Sequence, residues 1–262
     1  VNATSNSAAR SIQPPGVYAR SRAAVNAMYA VMPPEGVLES RLPNFRATRA
    51  RVLAAPALGA RFAQILLQIA ADGGMEKPRC DSLQHFLYVV EGAAELVLDG
   101  ATHRLTPGQY AYVPVACAFR LRAADGAATE VMWIQKPYQR LDGVAAPAPF
   151  VGDAANVAAV CKHTEGRTWQ HLLPDELGFD FAVNILAFEP GNYFPMVETH
   201  VMEHGLYMLE GQGMYLLQDQ WHECWAKDFI YMAPFCPQFF YATGWSRAAY
   251  LLYKDVNRDV AF

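Results

Sequence analysis

Apolar residues come in short runs along this chain, and turn residues separate them. In one half the runs are "ARFAQILLQIA", "HFLYVVEG", "AAELVLDG", "QYAYVPV" and "TEVMWIQ"; in the other, "FAVNILAFEPG", "GLYMLEG", "GMYLLQD", "DFIYMAPF" and "AAYLLYKD". They are aromatic and β-branched, and Gly, Asp and Pro punctuate them, which predicts strands. No long stretch shows the 3.6-residue period of a surface helix. Many short strands at regular spacing predict an all-β chain with a sandwich or barrel in each half.

The two halves also resemble each other. "LYVVEGAAELVL" and "LYMLEGQGMYLL" align at an offset of 119 residues. The same offset pairs Leu58-Gly59 with Leu177-Gly178, Phe62-Ala63 with Phe181-Ala182, His85 with His204, Tyr112 with Tyr231 and Cys117 with Cys236. An ungapped repeat predicts two copies of one domain. The expected boundaries are an N-terminal extension packing on the barrels (1–50), an N-terminal barrel (51–145) and a C-terminal barrel (146–262). The join lies near the Ala/Pro-rich "LDGVAAPAPFVGDAAN".

Composition narrows the function classes. Of 262 residues, 53% are hydrophobic and 18% charged, which fits a globular chain with a real core. A formal net charge of −4 without a long basic run leaves no footprint for nucleic acid or an anionic membrane. No apolar stretch is long enough for a membrane span, and the opening "VNATSNSAARSIQPPGVYARSR" lacks the apolar core of a signal peptide. The five cysteines are odd in number and form no C-x-x-C pair, so a reduced, cytoplasmic setting is expected. Residues 1 to about 15 are expected to be poorly ordered.

Candidate chemistry sits in the second copy. "FPMVETHVMEHGLYMLEGQG" carries Glu198-x-His200-x3-His204-x6-Gly211. Each half also has a strand closed like G-x5-P: "GQYAYVP", and the degraded "KDFIYMA". These resemble the two motifs of the cupin jelly roll, which implies two tandem cupin barrels, a bicupin. The cupin pattern H-x-H-x3-E-x6-G has the same spacing with permuted residue types. Its fourth position falls on Gln238, where most cupins carry His. Lone histidines on apolar strands are ordinarily core residues; here four positions match one ligand geometry. Glu198, His200, His204 and Gln238 form an oxygen–nitrogen set without sulfur, suited to Mn(II), Fe(II) or a similar octahedral ion.

In the first copy the equivalent positions are Arg79, Asp81, His85 and Phe119, a set expected to hold no metal, with His85 a hydrogen-bonded core residue. Tyr215 follows the ligand hairpin, and Tyr250 and Lys254 share a face of the last strand. Lys254 either borders the cavity as a carboxylate anchor or pairs with Asp255 on a solvated strand end.

"ETHVMEHGLYMLEGQG", "MAPFCPQFF" and "YLLYKDVNRD" resemble the (S)-ureidoglycine aminohydrolases, and "YAVMPPEGVLESRLPNF" is similar to that family's N-terminal region. The resemblance implies Mn²⁺ on Glu198, His200, His204 and Gln238, and substrate contacts from Tyr215, Tyr250 and Lys254. The implied catalytic residues are Glu198, Lys254 and Tyr250, acting on a small ureide in a homo-oligomer. Two other readings compete: a cupin dioxygenase using Fe²⁺, and a bicupin that binds a small ligand without turnover.

Overall fold

The structure, a computed structural model, describes residues 22–260. The expectation for residues 1 to about 15 lies outside them. The regular structure of the described chain is almost wholly strand, as the sequence pattern predicts.

The first repeat supplies β3 (Phe45–Ala54), β4 (Ala63–Met75), β5 (Leu83–Glu91), β6 (Ala94–Leu98) and β7 (Ala101–Leu105), after β1 (Ala24–Val25) and β2 (Tyr29–Met32). It continues through β8 (Gln109–Val113), β9 (Phe119–Ala123) and β10 (Thr129–Pro137). The second repeat follows β11 (Phe150–Asp153) with β12 (Val160–Lys162), β13 (Thr164–His171), β14 (Phe181–Phe188) and β15 (His204–Glu210). It ends with β16 (Gln212–Leu217), β17 (Gln220–Trp225), β18 (Phe229–Met232), β19 (Gln238–Ala242) and β20 (Ala248–Asp255).

In the first barrel one curled sheet runs β11-β8-β5-β10-β4-β9-β6-β7, with β3 also on β4. Strand β4 serves both walls because it bends at Gly74, which pairs with Arg122. At φ +127° and with a Cβ that would meet Arg122 Cα at 2.5 Å, only glycine fits that corner. The second barrel has no such continuous strand. Pro190, Gly191 and Pro195 interrupt the chain after β14, leaving an eight-stranded sheet, β1-β2-β18-β15-β20-β14-β13-β12, facing a three-stranded one, β17-β16-β19. The residues that stay outside regular strands, 189–203, carry Glu198 and His200.

The barrels trade strands. β2 precedes the first barrel yet completes the sheet of the second, pairing Ala30 with Tyr231 on β18. β11 precedes the second barrel yet completes the first, pairing Phe150 with Tyr112 on β8. It lies beyond the boundary expected at 145. The interface between barrels is one apolar cluster that includes Phe62, Tyr112, Phe181, Tyr231 and Tyr253.

Polar groups inside that interface obey the repeat with inverted charge. Buried Asp180 accepts from Lys136 Nζ (2.5 Å), Gln84 Nε2 (2.5 Å) and the Gln139 amide (2.8 Å). At the equivalent positions Arg61 donates to Asp255 (2.5 Å), and buried Glu203 accepts from the Arg61 amide (3.0 Å). The first copy is thus cationic at both paired positions, Arg61 and Lys136, and the second anionic, Asp180 and Asp255.

Candidate active site

The loop that brings Glu198 inward is fixed by backbone, not by a strand. Glu198 and Gln238 form an isolated antiparallel bridge whose two N–H···O bonds are each 2.9 Å. That bridge sets Glu198 against the first residue of β19, while His204 opens β15. The sequence reading placed Glu198 and His200 on one strand face; the structure makes that stretch a pinned loop, because the prolines before it prevent a longer ladder.

His200, His204 and Gln238 meet. The Nε2 atoms of the two imidazoles are 3.3 Å apart, and the Gln238 amide nitrogen lies 2.9 Å from His200 Nε2. His204 Nδ1 donates to the Tyr253 carbonyl at 3.3 Å, so its Nε2 presents a bare lone pair. His200 Nε2 accepts from Gln238, and its Nδ1 is buried without a partner. With the Gln238 amide turned so that its oxygen faces the rings, two imidazole nitrogens 3.3 Å apart and an amide oxygen form a donor set that one cation can share. Burial, with His200 and Lys254 nearby, pushes the His204 pKa down to about 3, so that ring is a neutral donor. Neighbouring ligands of an ion with bonds of about 2.1 Å stand about 3 Å apart, so the spacing fits a metal.

The fit has two further terms. Gln238 would ligate through oxygen, which a half-turn of its amide supplies, since the two ends are isosteric. Its Oε1 now accepts from the Tyr215 hydroxyl at 3.2 Å, and that hydroxyl can equally accept from the amide. Glu198 is the looser member. Among the described residues no three His, Cys, Asp or Glu side chains cluster closely enough to hold an ion. The Glu198 carboxylate lines the same cavity but has its ion-pair contact with Arg167, 3.9 Å away.

All seven residues singled out from the sequence, Glu198, His200, His204, Tyr215, Gln238, Tyr250 and Lys254, line one cavity of about 320 Å³. Tyr250 and Lys254 face it from β20, where Lys254 lies beside His204 and Tyr250 beside Leu186. Of the two readings for Lys254, the cavity is where it stands, while Asp255 pairs with Arg61. Burial raises the pKa of Tyr215 and of Tyr250, so both serve as neutral hydroxyls. Burial lowers that of Lys254.

Sequence reasoning missed Arg167 and Trp169. Both lie on β13, with Arg167 beside Phe188 and Trp169 beside Leu186 on the neighbouring strand, and both reach the cavity. The signal was the period of two in "RTWQH", which places Arg167, Trp169 and His171 on one face.

In the first barrel the equivalent side chains bond one another. Arg79, at the position of Glu198, donates to Asp81 (2.5 Å) and Gln135 (3.1 Å). Asp81 also faces His85 Nε2 at 3.1 Å, and Trp133 Nε1 donates to His85 Nδ1 at 3.2 Å. The Arg79 guanidinium packs over Trp133, and Phe119 tilts against His85. Every polar end has a partner supplied by the chain itself.

Comparison with known proteins agrees with the fold and shows the family. The Cupin domain family matches residues 66–135, in the first barrel. An (S)-ureidoglycine aminohydrolase of Escherichia coli (strain K12) is 33% identical over 88% of this chain and 90% of its own length. One of Arabidopsis thaliana is 34% identical over 88% of this chain and 76% of its own. Among solved structures, the putative glyoxylate induced protein from Pseudomonas aeruginosa superposes with a TM-score of 0.86 at 37% identity, covering 95% of this chain and 96% of that one.

Proposed function

Because the chain belongs to the (S)-ureidoglycine aminohydrolase family, its reaction is the hydrolytic release of ammonia from (S)-ureidoglycine, and we propose that the C-terminal cavity performs it with Mn²⁺ held by Glu198, His200, His204 and Gln238. The observation that carries this reading is the convergence of His200, His204 and Gln238 on one point of a cavity that also holds Lys254 and two buried tyrosines. When bound, the ion supplies Lewis acidity and a template that fixes which face of the substrate carbon reacts.

The chain's own residues do the rest. Lys254 holds the substrate carboxylate as a point charge. The Tyr215 and Tyr250 hydroxyls, kept neutral by burial, orient the ureido end and relay protons without becoming bases. Glu198, partly open to the cavity, takes the proton from the attacking water and returns it to the departing amine nitrogen as the C–N bond breaks. The amine leaves as ammonia and the hydroxyl takes its place, giving (S)-ureidoglycolate.

The same reading makes the protein a cytoplasmic homo-oligomer without nucleic-acid or membrane partners. Its support is the net charge of −4, free cysteines at all five positions, and exposed aromatic side chains at Tyr193, Trp221 and Tyr241 around the three-stranded sheet. No helix of the described residues is long and apolar enough to cross a membrane.

The deciding experiment measures anaerobic ammonia release from freshly made ureidoglycine, with Mn²⁺ and with chelator, and records product chirality. Metal-dependent ammonia with a single (S) product is expected. Racemic product at the uncatalysed rate, or a requirement for oxygen, would reject it.

A further inference from the structure

Arg167 is only 2% exposed, and its Nε and Nη1 have no hydrogen-bond acceptor. Its guanidinium lies over Phe194 at 4.4 Å, with Phe188 and Trp169 within 6 Å. Ring faces attract a cation but cannot replace every lone-pair acceptor. Nη2 points to Glu198 Oε1 at 3.9 Å, near enough for countercharge and too far for a hydrogen bond. Arg167 therefore has its charge partner and lacks its hydrogen bonds.

Lys254 is in the opposite condition. It stands 5.4 Å from the centre of the Trp169 ring and forms no ion pair among the described residues. Asp175 and Glu198 favour its charge from a distance, but neither carboxylate is within ion-pair reach of the ammonium. A substrate with a carboxylate at one end and a urea at the other offers each cation what it misses. A carboxylate at Arg167 would instead confront Glu198.

We infer that Arg167 binds the ureido carbonyl oxygen of the substrate and is the residue that selects a ureido group. This rests on the reaction given above and deepens it. Trp169, within 6 Å of both cations, forms the wall along which the substrate spans them.

The test uses two stable ligands of one shape, ureidoacetate and guanidinoacetate, which differ by a carbonyl oxygen replaced with a cationic nitrogen. Their Kd values are measured by calorimetry on the full chain loaded with Mn²⁺. The wild type should prefer ureidoacetate by roughly 10- to 100-fold, and Arg167→Met should remove most of that preference. Arg167→Lys, which keeps the charge but loses the planar donors, should fall between. Wild type that binds neither ligand or both alike, or Arg167→Met that keeps the full preference, overturns the assignment. Circular dichroism checks folding, and if Arg167→Met is unfolded, Arg167→Lys decides by the same ratio. Ammonia release by the wild type is read separately. Its absence removes the proposed reaction, whereas turnover with an unchanged ratio removes only the role of Arg167.

Discussion

Arg79 and Glu198 occupy the same position in the two barrels and carry opposite charge: Arg79 is bonded to Asp81 at 2.5 Å, while Glu198 faces Arg167 across 3.9 Å. The first barrel has closed its polar interior with its own side chains. The second has left lone pairs, donors and an ammonium waiting.

Metal should stabilise only the second barrel's site. Mn²⁺ at about 100 times its Kd should raise unfolding free energy by about 2.7 kcal/mol. His204→Ala should abolish that gain, whereas Arg79→Met should leave it intact. Urea melts with and without Mn²⁺ measure both, and a gain that survives His204→Ala would move the ion elsewhere.

Glu198→Gln separates ligand from base. The amide still offers an oxygen but cannot take a proton, so activity should drop by roughly 10²- to 10⁴-fold while bound Mn²⁺ stays near the wild-type level. Metal analysis beside steady-state rates reads both quantities. A parallel loss of metal and rate would reduce Glu198 to a ligand.

His85 should make the fold acid-sensitive. Burial, chiefly, pushes its pKa down to about 4 in the folded state, against about 6.5 unfolded. Between those values the unfolded chain binds more protons, so the contribution is complete above pH 6.5 and is lost as pH falls toward 4. The full effect is about 3 kcal/mol. Denaturant unfolding of wild type and His85→Gln across that window should show a shallower pH slope in the variant. Identical slopes would mean that protonated His85 is tolerated.

The buried pair between barrels should be costly to break from one side. Asp180→Ala strands Lys136, which is 4% exposed, and should lower stability by roughly 3–5 kcal/mol. The urea midpoint should fall without a change in slope. A loss below about 1 kcal/mol would show that water reaches Lys136 when its partner is removed.

Much of this was legible in the chain because a repeat displays its own constraints. The strands and the two barrels follow from period-two patterns and one ungapped offset, whereas the metal positions were read from the spacing of the cupin motifs, and the resemblance to the aminohydrolases implied all seven cavity residues. Arg167 was not legible as a buried residue. On β13 it alternates like any solvated polar position, and only Phe188 and Phe194, brought from other segments, enclose it. The partners of β2 and β11 were hidden for a related reason: a strand's sequence specifies which face is apolar, but not which edge it joins.

The reciprocal placement of β2 and β11 bears on the history of the chain. A tandem duplication ordinarily leaves each copy free to be lost again. Here the segment that precedes each copy closes the edge of the other, Ala30 against Tyr231 and Phe150 against Tyr112. Deleting either half would bare the backbone of β8 or β18 and strip the survivor of a paired strand. The first barrel, whose equivalent side chains bond one another, is thereby tied to its neighbour: each copy now depends on the other for a closed edge.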